Sequence, residues 1–186
     1  MLSQFSSNDA KEMKKKHFLS EIYAFPKGIM PIGRLDEKSE GLLLLTTNGK
    51  LSDTVNRSGI EKEYYVQLDG QITPKALALI EKGVEIGFRG QKYMTKPCKA
   101  KLLHTIPILP EPDQRIRINR HRPNSWITIT ITEGKFRQVR KMTAAVGFPT
   151  LRLVRVRIGD ILLDQMLPND TIPIFTNQFS TIYGNI

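Results

Sequence analysis

A single cysteine, Cys98, among 186 residues excludes an internal disulfide and every multi-cysteine zinc pattern. The three histidines, His17, His104 and His121, stand far apart with no ligand spacing, so no metal centre is expected. No apolar run approaches the roughly 18 residues that a membrane span needs. The opening MLSQFSSNDAKEMKKKHF lacks the apolar core of a signal peptide, and the expected setting is the cytoplasm or an organelle interior. Phosphate loops are missing too: TTNGK at 46–50 lacks the spaced first glycine and the following hydroxyl residue, and no G-x-G-x-x-G follows a strand pattern. Neither Cys98 nor any serine sits in an activating local motif. Nucleotide-cofactor chemistry is therefore not expected, and no cofactor is assigned.

What is present is positive charge, unevenly placed. The formal net charge is +10, with 40% hydrophobic residues, enough for a folded core. From Arg115 to Arg157 there are eleven basic residues against one acid, Glu133, while the other 143 residues carry 17 of each sign. Lysine and arginine contacts to phosphates gain affinity by releasing counterions, so this segment is a candidate nucleic-acid footprint. A solvated basic face is the ordinary alternative.

The pattern along the chain is that of an α+β protein. Residues 1–27 read as a polar opening segment with a short helix at 10–16, residues 28–170 as one catalytic-size domain, and 171–186 as a C-terminal tail. MPIG at 30–33 is short and apolar, GRLDEKSEG at 33–41 a polar loop, and LLLLTT at 42–47 a buried strand ended by an Asn48-Gly49 turn. Lys62 to Leu68 alternates as a strand. Thr73-Pro74 opens a helix with Leu77, Ile80 and Val84 inward. Short strands follow around 84–88, 93–95 and 98–103, then a loop at 107–113. WITITIT at 126–132 is the clearest strand. Arg137 to Val146 has helical spacing with Val139, Met142 and Val146 inward, and TLRLVRVRIG at 150–159 is a further strand. The sum is a mixed, mostly antiparallel sheet with flanking helices.

Alone, each candidate site residue has an ordinary reading. Asp36 in Gly33-Arg34-Leu35-Asp36 caps a turn or pairs with Arg34, Tyr64 in Lys62-Glu63-Tyr64 fills the core, and EGKFRQVR at 133–140 starts a helix with a basic face. Together, and in this order, GRLDEKSEGLLLLTTNGKL, KEYYVQLDG and ITEGKFRQVRKMTAAVGFPTLRLVRVRIGD resemble the three motifs of the ribosomal branch of the pseudouridine synthases. The similarity runs from about Pro31 to about Leu167. In wording it is most similar to the small single-domain members acting on large-subunit ribosomal RNA.

The resemblance implies the pseudouridine synthase catalytic fold and an isomerase that needs neither cofactor nor metal. Asp36 is then the catalytic carboxylate acting at the ribose, either attacking the anomeric carbon or taking the neighbouring proton. Tyr64 stacks on the uracil, Arg140 ion-pairs with Asp36, and Val139 packs against the flipped base from the first turn of its helix. The implied partner is ribosomal RNA or a ribosomal precursor particle, bound through Arg34, Lys62, Lys135, Arg137, Lys141, Arg152, Arg155 and Arg157. Arg155 and Arg157 are expected on one strand face with Arg152 opposite, unless a bulge intervenes. A monomer is expected, since the basic strip must stay open. No separate small RNA-binding domain fits ahead of Gly33, and Pro168-Asn169-Asp170 departs from the family's usual proline-glycine. The rival is a non-catalytic RNA-binding protein on the same scaffold. A binder, however, has no use for a carboxylate beside its positive strip.

Overall fold

The computed structural model describes residues 1–112 and 123–175. Four of the basic positions counted above (115, 117, 120 and 122) and most of the expected tail lie outside the described residues. The elements are α1 (Ala10–Lys15), β1 (Met30–Pro31), β2 (Glu40–Gly41), β3 (Leu45–Thr46), α2 (Gly49–Arg57), β4 (Lys62–Asp69), α3 (Pro74–Lys82), β5 (Glu85–Phe88), β6 (Gln91–Met94), β7 (Lys99–Leu103), β8 (Asn124–Ile131), α4 (Gln138–Ala145), β9 (Thr150–Ile158) and β10 (Ile161–Leu162).

Alternation in β4 and β8 builds the centre. Tyr64, Val66 and Leu68 lie directly across from Ile129, Ile127 and Ser125. Their common face carries the main core with Ile80 of α3 and Val139 and Met142 of α4. The sheet order is β10-β9-β4-β8-β7. Its pairings are antiparallel except that β2 runs parallel to β9, the mixed, mostly antiparallel α+β arrangement expected. α3 starts as its sequence requires: the Thr73 side chain accepts from the Ala76 N–H, and proline occupies the first turn.

Two local expectations are corrected. LLLLTT is no continuous strand; only Leu45–Thr46 pairs, with β1. Leu42 and Leu44 are nonetheless buried, in a second cluster with Leu51, Val55 and Ile158. Asn48 does not make a hairpin turn. Its side chain accepts from the N–H groups of Lys50 and Leu51 and caps α2, a helix that buries Leu51 and Val55 at i, i+4.

The first residues close against the 33–41 loop. Ser3 Oγ donates to the Leu35 carbonyl and accepts from the Leu35 N–H, both at 3.1 Å, and Lys16 pairs with Glu37 at 2.6 Å.

Candidate active site

Three segments far apart in sequence converge on one cleft of about 290 Å³. The 33–39 loop supplies Arg34, Asp36 and Ser39, β4 supplies Lys62 and Tyr64, and the 134–139 stretch supplies Lys135, Arg137 and Val139; Leu153 and Arg155 come from β9. Among the lining residues Asp36 is the one carboxylate, beside five basic side chains.

Asp36 lies in a turn closed by the Ser39 N–H donating to its carbonyl, at 2.8 Å. Its carboxylate faces Arg140, with Nε to Oδ2 at 3.9 Å and side chains 9% and 19% exposed for the arginine and the acid respectively. The guanidinium is anchored from other directions. Nη2 donates to the Lys38 carbonyl at 2.7 Å and Nη1 to the Thr150 carbonyl at 3.3 Å, while Nε is buried with no hydrogen-bond partner. Arg140 thus ties α4 and the start of β9 to the loop that carries Asp36. Burial, then the nearby Arg137, pushes the guanidinium below its ordinary value, opposed by Asp36 and Glu40. An arginine stays cationic even so.

Tyr64 is buried in β4 and borders the cleft. Val139, in the first turn of α4, belongs to the core and to the cleft wall at once. The turn before α4 is built by side chains. Gln138 accepts from the Lys135 N–H at 2.9 Å and donates to Glu133 at 2.6 Å, while Glu133 also accepts from the Tyr93 hydroxyl and the Lys96 N–H. Burial alone would raise the Glu133 carboxyl, but those hydrogen bonds and the field of Lys135 together hold it below its usual range. They support Arg137 in a left-handed conformation, φ 53°, a strained geometry for a non-glycine residue of the kind that concentrates at functional sites. Lys135 Nζ sits 5.0 Å above the Tyr93 ring, and Lys141 Nζ lies 5.4 Å from Phe136 and donates to the Gly87 carbonyl at 2.7 Å.

The three β9 arginines expected to contact phosphate are engaged within the protein. Arg152 is buried and bidentate to Glu40, at 2.8 and 2.7 Å. Arg157 binds Glu63 and Glu61, at 2.8 and 2.9 Å. Arg155 is 3% exposed, with Nε on the Leu42 carbonyl at 2.7 Å. Nor do Arg155 and Arg157 share a face. Tyr64 pairs with Arg155 but Glu63 with Arg157, so a bulge at Val156 sends Arg155 to the Tyr64 face and Arg157 to the side of Arg152. Arg34, exposed at the rim, donates to Gln4 at 3.0 Å and not to Asp36.

Sequence reasoning passed over Glu133, Gln138 and Tyr93 as the support of the 134–139 turn, and Gly41. The last has φ 94°, and a Cβ there would collide with the Arg155 carbonyl oxygen. The only hint was a glycine directly before four leucines. Burial and then Glu81 and Glu133 push the Cys98 thiol up to about 11, which disfavours the thiolate form a nucleophile needs.

Comparisons with known proteins identify the family. The family model described as RNA pseudouridylate synthase matches residues 1–145. Ribosomal large subunit pseudouridine synthase E of Xanthomonas axonopodis pv. citri is 40% identical over 170 residues, covering 90% of this chain and 85% of that protein. The protein of the same name in Vibrio parahaemolyticus is 39% identical over 170 residues, covering 90% of this chain and 66% of its own. A crystal structure of a pseudouridylate synthase superposes with a TM-score of 0.71 at 28% identity, over 89% of this chain and 65% of that one. With 145 of its residues matched by one family model and relatives up to 40% identical over 90% of its length, the chain belongs to the RNA pseudouridylate synthase family.

Proposed function

We propose that the protein converts uridine to pseudouridine in large-subunit ribosomal RNA. The observation that carries the reading is Asp36, the one acid of a basic cleft, facing Arg140 and sharing its walls with Tyr64 and Val139. The reaction breaks the bond between C1′ of the ribose and N1 of uracil and forms one between C1′ and C5. The C5 proton leaves to solvent and N1 gains one, so no oxidant, reductant or energy source is needed.

A stacked or paired uridine hides its ribose from any carboxylate, so the nucleotide must be extruded, at a cost of about a few kcal/mol. The rim cations Arg34, Lys135 and Arg137, with Lys141 of α4 outside the cleft, offset that cost by holding the backbone. Tyr64 and Val139 then take the base, and Asp36 acts at the ribose, as nucleophile or as base. Ordinary surface cations suffice at the rim, whereas the carboxylate has to stay ionised inside, and a fixed guanidinium secures that.

Support comes also from the relatives, whose names assign them to the large ribosomal subunit. The test is incubation of large- and small-subunit ribosomal RNA, each as naked transcript and as precursor particle, followed by digestion and chromatography of the nucleosides. Pseudouridine appearing in large-subunit RNA alone supports the proposal. Its appearance in small-subunit RNA alone would overturn the substrate assignment, and its absence throughout would overturn the reaction.

A further inference from the structure

The cleft that Asp36 lines also holds two cations that make no ion pair among the described residues. Lys62 Nζ donates to the Ile60 carbonyl at 3.0 Å. Arg155 donates through Nε to Leu42 and keeps Nη2 buried without any hydrogen-bond partner. Both line the cleft and both lie on the Tyr64 face of the sheet: Arg155 is directly across from Tyr64, and Lys62 is two residues before it. Burial, then the like charge of Arg155, pushes the Lys62 amine below its ordinary value. Two adjacent, poorly solvated positive charges destabilise a fold, and neighbouring arginines of the same strand show the ordinary solution, since Arg152 and Arg157 each have glutamates.

The missing negative charge is not a backbone phosphate, because Arg155 is 3% exposed while the backbone stays at the rim. It does arise in the reaction proposed above, on which this inference rests. When the C1′–N1 bond breaks, both electrons leave with the base, which becomes an anion with its charge spread over N1, O2 and O4. The charge persists until C5 bonds to C1′, and it forms whether Asp36 acts as nucleophile or base.

We propose that Lys62 is a catalytic cation that holds the departed uracil anion, its Nζ donating to the base oxygens while the ring turns and the buried Arg155 guanidinium adding its positive field. Lys62 acts as an oxyanion-hole donor does, fixed in advance where charge will develop.

The test uses leaving-group chemistry. Large-subunit ribosomal RNA is transcribed with uridine or with 5-fluorouridine, whose fluorine stabilises the base anion, and disappearance of the target nucleoside is followed with enzyme in excess. Lys62→Met should slow uridine about 100-fold, as loss of one such donor does, but 5-fluorouridine only about 10-fold, since a better leaving group relies less on the cation. RNA affinity and Tm should be no lower than in the native protein, and Lys62→Arg should recover most of the rate. Equal losses on both RNAs would overturn the proposal, as would a loss accounted for by weaker RNA binding, or a variant that fails to fold. A native protein inactive on both RNAs removes the isomerase reading, and this inference with it; activity of the native protein with equal losses in the variant removes this inference alone.

Discussion

Replacing Arg140 by methionine removes the cation facing Asp36 and keeps most of the buried alkyl volume. At 3.9 Å and an effective dielectric of about 20, the Coulomb attraction lost is about 4 kcal/mol. Because Nε lies beyond hydrogen-bond distance of the carboxylate, this is field rather than a directed bond. If most of it acts where charge changes at the ribose, turnover falls about 10² to 10³-fold, the range seen when one preorganised donor is removed. Stability suffers separately. The bonds to the Lys38 and Thr150 carbonyls are charge-assisted, worth roughly 1.5–3 kcal/mol each. Water at the cleft can take over part of that, so a loss of about 2 kcal/mol in urea unfolding is expected. Arg140→Lys separates the two effects: it keeps a charge but cannot fork to two carbonyls, and it should regain more rate than stability. Single-turnover conversion of ribosomal RNA alongside urea titrations provides both numbers. Native turnover in a folded Arg140→Met would refute the role of the pair.

The salt dependence of RNA binding should sort the cations. Neutralising Lys135 or Arg137 flattens the log-log slope by about 0.7 per contact on single-stranded RNA, whereas Arg152→Met and Arg157→Gln leave it unchanged; a flatter slope in either of the latter would return them to the footprint. Glu133→Gln should lower the urea midpoint at neutral pH. The native carboxyl sits below its unfolded value, so its contribution is present above about pH 4.5 and is lost as pH falls through the lower folded value. A difference between the two proteins that does not shrink on acidification would argue against that role. Glu40→Gln breaks the half-buried pair with Arg152 and should cost about 1–3 kcal/mol, most of it restored by adding Arg152→Met; additive losses in a thermal melt would contradict the pairing.

The residues proposed to be catalytic were legible because each belongs to a local run. An aspartate in GRLDEKSEG, a tyrosine in KEYYV and an arginine in FRQVR each sit in a recognisable run, and alternation in β4 and β8 told which face their neighbours bury. What stayed hidden depends on partners distant in sequence. Arg152 looked like a surface cation because Glu40 is 112 residues away. Arg155 and Arg157 looked equivalent because a bulge at Val156 leaves no mark in TLRLVRVRIG. Four consecutive leucines carry no period, so LLLL read as a strand, although only alternate members are deeply buried. Asn48-Gly49 is as good a helix start as a turn, and the deciding signal, Leu51 and Val55 at helical spacing, lay just beyond it.

The most direct test of the central claim is release of tritium from C5-labelled uridine in large-subunit ribosomal RNA, comparing the native protein with Asp36→Asn at matched salt and matched RNA occupancy. An isomerase whose carboxylate acts at the ribose releases label from the native protein and none from Asp36→Asn. Release by both would show that Asp36 is not the reacting group, and release by neither, with both bound to the RNA, would contradict the assignment of this cleft as a pseudouridine-forming site.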